Sequence, residues 1–227
     1  MPEKEHIKAA EPFHFYTRLT LSELTGLRAL NLKQLVEMMG QVPDSCIYHH
    51  THRFLQQHQH LSPEPPNDFA YWVSTSLVEK ELGERLASID TTQFCSIAAL
   101  RDEFLGTIKQ YIEERPDAGL RFTNPEGAFY FIKSVSFILP TRYVAYDLAG
   151  FAEALKNVAI DSLYFHIFEA RLRLGKETND FSNWLRGSIG DARLAEEIER
   201  LDPYTHTLEE LRSKVIKIVS KRNASKK

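Results

Sequence analysis

The stretch IYHHTHRFLQQHQHLSPEPPNDFAYW, residues 47–72, carries five of the chain's nine histidines: His49, His50, His52, His58 and His60. Imidazoles so crowded suggest three kinds of chemistry. A neutral ring can ligate a metal, a ring titrating near neutrality can move protons, and a ring beside a thiol can activate it. Cys46 stands four residues before His50. A thiol in the first turn of a helix, next to an imidazole, has the skeleton of a Cys–His dyad. Ser162 and His166 occupy matching places later in the chain, and Asp44 is a candidate to orient the histidine. Tyr48, His50 and Asp68, with their later counterparts, are a third possible grouping.

Whether these groups meet depends on the element that carries them. On a helix starting near Cys46, each residue turns the side chain by about 100°. Ile47, Thr51, Phe54 and Leu61 then share the core face, and His50 and His58 lie on it or at its edge. His49, His52 and His60 fall on the watery side. At about 1.5 Å of rise per residue, His49 and His60 stand roughly 16 Å apart. Zinc needs its nitrogens within about 2.0–2.1 Å. Only His49 with His52, or a pair broken out by a bend near Gln59, could donate together, and no HExxH or CxxC pattern supports them. No cofactor is expected.

The chain repeats itself, which provides a comparison inside one molecule. PFHFY at 12–16 recurs as AFYFI at 128–132, and IYHH at 47–50 recurs as LYFH at 163–166. NDFAYW at 67–72 returns as NDFSNW at 179–184, and LRDEF at 100–104 as LRSKV at 211–215. The second copy replaces His49 by Phe165, His52 by Phe168 and His58 by Leu174, yet keeps His50 as His166. What both copies retain is what the fold needs. The buried imidazoles therefore call for partners, and Asp68/Asp180 or Tyr48/Tyr164 are the candidates.

Both copies are punctuated alike. Asn31 with Gln34, and Asp147 in the second copy, read as helix starts, as do Asn67 and Asn179. Phe69/Trp72 and Phe181/Trp184 lie three apart on one helical face, which makes Trp72 a packing residue before a ligand platform. Thr207 with Glu210 forms a capping box. FYFIKSVSFIL at 129–139 has the aromatic and β-branched content of a strand, and FHFYTRLTL at 13–21 resembles it. These two could pair. The expected fold is mainly α: two tandem pseudo-symmetric helical repeats, 11–115 and 128–222, each with room for a short strand at its opening. Residues 114–127 form the linker, and the two repeats pack as one compact unit.

Composition narrows the partners. The 227 residues are 43% hydrophobic and 26% charged, with net charge −3, as in an ordinary globular protein. No overall field draws DNA, RNA or an anionic membrane. Basic residues do gather near the end, at Lys214, Lys217, Lys221 and Arg222, where they suit a helix C-terminus. Two cysteines make no disulfide framework and fit a reducing cytoplasm. The opening MPEKEHIKAAEP lacks the apolar core of a signal peptide.

The segments SCIYHHTHRFLQQHQHLSPEPPNDFAYW, LYFHIFEARLRLGKETNDFSNWL and LDPYTHTLEELR together resemble a family of uncharacterised prokaryotic proteins, a domain of unknown function. The resemblance runs from about Phe13 to Arg222. It implies a soluble prokaryotic protein and brings no activity, cofactor or catalytic residue. Cys46 departs from the pattern, where a serine is expected. The functional expectation is a non-enzymatic binding or adaptor module for a protein or small molecule. Its binding face would include Tyr48, His49, His52, His60, Asp68 and Trp72, beside the stiff loop LSPEPPND at 61–68. The alternative is a metal-binding protein or hydrolase-type enzyme working near residues 46–68, with Cys46, His50 and His166 as catalytic candidates.

Overall fold

A computed structural model describes residues 8–53, 66–170, 172, 178–201 and 207–225. The fold is α+β, which corrects the mainly α expectation: of the described residues 61% are helical and 21% lie in strands. The openings of the two copies are long strands, β1 over Lys8–Ala29 with 22 residues and β2 over Phe129–Asp147 with 19. They pair with each other as a two-stranded antiparallel sheet. The register is marked by Thr141 Oγ1 donating to the Phe15 carbonyl (2.8 Å) and Thr25 Oγ1 to that of Phe131 (2.7 Å). Lys133 and Glu23 form an ion pair at 2.9 Å in the same register. Strand length was hidden because Leu21, Leu24 and Leu27, three apart, imitate a helical stripe while all three lie exposed. Both strands are sheet edges, which is where a strand tolerates Pro140.

Two matching series of helices follow the strands. After β1 come α1 (Leu32–Gln41), α2 (Asp44–Tyr48), α3 (Asp68–Thr75), α4 (Lys80–Ala87) and α5 (Ile97–Glu114). After β2 come α6 (Leu148–Asn157), α7 (Ile160–Tyr164), α8 (Asp180–Gly187), α9 (Ala192–Glu199) and α10 (Leu208–Ser225). Their starts are fixed by side chains that accept orphan amides. Asn31 accepts from the amide of Gln34 at 2.8 Å, Asp147 from Gly150 at 2.7 Å, and Asn67 from Ala70 at 2.8 Å. Asn179 and Ser182 cap each other reciprocally, and so do Thr207 and Glu210.

The chain divides into two compact units drawn from both halves of the sequence. One comprises Thr20–His58 and Ser62–Ser136. Its core joins Leu32, Leu35, Met39, Ile47, Phe69 and Phe104 to Phe129 and Phe131 of β2. Phe129 stacks on Phe69 at 5.2 Å, and the Trp72 indole donates to the Gly127 carbonyl at 2.6 Å. The other unit contains Met1–Leu19 and Phe137–Lys227. There Phe13 of β1 meets Phe151, Phe181 and Trp184 edge-on at 5.4–5.6 Å, with the Trp184 indole donating to the Glu11 carbonyl at 2.7 Å. Each helical series is thus closed by the aromatic strand opening of the other copy. The alternation of buried Phe13 and Phe15 with exposed His14 and Tyr16, repeated around Phe129 and Phe131, sends those rings into the helices.

One local strain separates the copies. After α8 the chain turns through Gly190 at φ +74, and at the corresponding place after α3 it turns through Val78 at φ 59. Both positions precede a residue whose amide reaches back to the preceding helix, Glu79 to Val73 and Asp191 to Leu185. A β-branched residue pays about 1–2 kcal/mol in this region, partly offset by the extra freedom glycine has when unfolded. Val78 is 61% exposed, so its side chain contributes little packing. Val78→Gly should therefore raise stability by about 1 kcal/mol in urea unfolding. A loss of stability in this variant would show that the turn is not strained.

Candidate functional site

Two of the histidines are consumed by the backbone. The helix begun by α2 continues as a π turn over His49–Arg53, and α7 continues likewise over Phe165–Glu169. His50 and His166 sit in these turns, 3% and 2% exposed. His50 Nδ1 lies 2.8 Å from Asp68 Oδ2, and its Nε2 accepts the amide of Ile132 on β2 at 3.0 Å. His166 repeats the arrangement, with Asp180 Oδ2 at 2.7 Å and the amide of Tyr16 on β1 at 2.8 Å. A ring nitrogen that accepts an amide carries no proton, so each imidazole is neutral, protonated at Nδ1 and donating to its aspartate. Asp68 and Asp180 open α3 and α8, where the helix dipole favours a carboxylate. Of the candidate partners, the structure brings the aspartates to the rings.

The strand is gripped on its carbonyl side as well. Ser162 Oγ donates to the Tyr16 carbonyl at 2.6 Å, so both backbone groups of that edge residue are satisfied by side chains. An edge capped in this way cannot accept another strand at that point. Cys46 occupies the corresponding place in the other unit and is wholly buried. Burial pushes its thiol up from an ordinary 9.0 to about 11, against a smaller lowering by the charges of Lys133 and Arg101. Asp44 is paired with Arg101 at 2.7 Å and not with His50. Burial thus disfavours the Cys46 thiolate, and the two ring nitrogens of His50 are engaged by Asp68 and the Ile132 amide.

That assignment is testable by alkylation. In a Cys95→Ser background, Cys46 of the native protein should react with iodoacetamide at pH 8 about 100-fold more slowly than in urea, from the thiolate fraction alone. The rate should climb as pH approaches 11. Equal rates in native and unfolded protein would restore the thiol as a candidate nucleophile.

The remaining site candidates diverge. Tyr48 is buried and stacks on His52 at 5.4 Å. His52, expected on the watery face, is 4% exposed, with Nδ1 2.9 Å from Thr51 Oγ1. The π turn shifts the angular phase that a regular helix would have kept. His49 is half-buried and lies 3.0 Å from Ser134 Oγ. Trp72 is buried against Phe129. His58, His60 and most of the LSPEPPND loop, through Pro65, lie outside the described residues. Among the described residues, no three His, Cys, Asp or Glu side chains converge as a metal group would require. Sequence reasoning missed Ser134 and the ion pair of Arg18 with the buried Glu169. It also missed the amides of Tyr16 and Ile132, which no side-chain pattern can announce.

The fold and these latches define a duplicated α+β protein in which strand openings are exchanged between halves and held by Asp-backed histidines. The chain belongs to a family of unknown function, DUF5752, whose profile matches residues 10–220. It is similar to the solved structure of OrfY from Thermoproteus tenax, with a TM-score of 0.79 and 30% sequence identity. The match covers 94% of this chain and 96% of that one. No curated protein matches. Among the described residues, no helix is long and apolar enough to cross a membrane.

Proposed function

We propose that the protein is a non-enzymatic binding module that docks a protein partner on exposed apolar side chains of its strands. The observation that carries this reading is the exposure of Leu19, Phe137, Ile138 and Leu139, at 45–53%, within one unit. The register set by Thr141 and Phe15 puts Phe137 beside Leu19, four residues later on β1 and four earlier on β2. Leu139, two residues from Phe137, shares its face. Large apolar groups left in water on a strand are an aggregation hazard unless something covers them. The groups that could have done chemistry support the same reading, since His50 and His166 hold the backbone and Cys46 is a buried thiol. Two free cysteines fit a reducing cytoplasmic setting.

The test compares wild-type protein with Phe137→Lys as baits in an extract of the source cells. A stoichiometric protein partner should be held by the wild type and lost by the variant. A partner held equally by both, or none held by either, removes the proposal.

A further inference from the structure

We infer that the groove between α9 and α10 is a binding site for a small polyanion, a ligand carrying two or more phosphate-type groups. The groove encloses about 460 Å³ and is lined by Arg193, Lys214, Lys217, Lys221 and Arg222, with Glu197 as the acid on its wall. Leu194 and Ile218 supply an apolar floor, next to which a charge contact is screened less than in open water. Lys214, Lys217 and Lys221 recur at helical spacing on one face of α10, so the row spans about 10 Å along the axis.

The other copy shows that the fold does not require this charge. Its corresponding groove, about 570 Å³, is lined by Arg85, Asp90, Gln93, Glu103, Thr107 and Gln110 among others. Glu103 stands where the second copy has Lys214, Gln110 where it has Lys221, and Arg85 where it has Glu197. The same helix pair is thus built with charges of opposite sign at two of these three places.

Internal pairing takes up only part of this basic lining. Arg222 is committed to Asp191 at 2.6 Å. Among the described residues, Arg193, Lys217 and Lys221 are not held in ion pairs. Three cations in one groove with no ion-pair partner cost self-repulsion, which a bound polyanion relieves. A short ligand fits better than a nucleic acid because the chain as a whole is at −3, and a long polyanion would meet that unfavourable field.

The probe is tripolyphosphate, titrated calorimetrically into the full-length protein at about 0.1 M salt, where screening acts over about 10 Å. Binding should be saturable, weaken as salt rises, and exceed that of orthophosphate at least tenfold. The double variant Lys217→Gln/Lys221→Gln should lose at least tenfold in affinity with an unchanged thermal midpoint, while Lys109→Gln on α5 should bind like wild type. If the double variant is misfolded, the preference for tripolyphosphate over orthophosphate in the wild type decides instead. No binding at millimolar tripolyphosphate, or equal loss in Lys109→Gln, overturns the site. Tighter binding per phosphate to a single-stranded oligonucleotide would overturn the small-ligand assignment.

Discussion

His166→Phe is expected to cost about 3–4 kcal/mol of folding stability, a large share of the roughly 5–15 kcal/mol that a domain possesses. Phenylalanine fills nearly the same volume, so the ring contacts with Phe13 at 4.9 Å and Phe181 at 5.5 Å survive. What disappears is an acceptor for the Tyr16 amide and a donor for Asp180. An orphaned buried amide costs about 1–3 kcal/mol, and a lost hydrogen bond to a charged group about 1.5–3. Asp180 is 19% exposed and recovers some hydration, so the amide carries the larger share. Asp180→Asn, which keeps a carbonyl for the Nδ1 proton, should cost nearer 1 kcal/mol. The exposed His14 is the control, and His14→Phe should change little. Urea unfolding measures all three, and hydrogen exchange should show the Tyr16 amide losing protection only in the first. A loss below about 1 kcal/mol for His166→Phe, or parity with His14→Phe, would show that the latch does not hold the strand.

Phe131→Ala tests the exchange of strands. Phe131 is fully buried, and removing a core phenylalanine typically costs about 3–5 kcal/mol. Its sequence position belongs to the second copy, yet its ring packs with Phe129 and His50 in the unit built from α1 to α5. Amide exchange should therefore accelerate in α3 and α5, in the first half of the chain. Phe15→Ala should do the reverse, because Phe15 packs on Phe151 at 5.5 Å and Phe181 at 6.1 Å, loosening α6 and α8. Were Phe131→Ala to loosen α6 and α8 while leaving α3 protected, the strand openings would belong with their own sequence copies.

The two variants report on one design. A strand whose polar edge groups are bound by imidazole and hydroxyl, and whose aromatic rings enter a helical core, is fixed by both faces of its chemistry. In one unit the hydroxyl is Ser162, and in the other Cys46 stands in its place. The departure from serine thus falls at the position that in the other unit donates to a strand carbonyl.

The sequence by itself determined the duplication, the helix starts at Asn31, Asn67, Asp147 and Asn179, and the shared face of Phe69 with Trp72. Those features are local: a cap acts within three residues, and a helical face repeats every three or four. Comparing the copies also made His50 and His166 structural residues and left His49 and His52 as variable ones. Only the tertiary structure decided that the openings are full-length strands, that each closes the helices of the other copy, and that His52 turns inward. The partners of His50 and His166 include backbone amides 82 and 150 residues away. Every residue but proline offers the same amide, so nothing in a side-chain pattern marks which one an imidazole will meet. Long-range pairing of that kind is settled by how the whole chain packs.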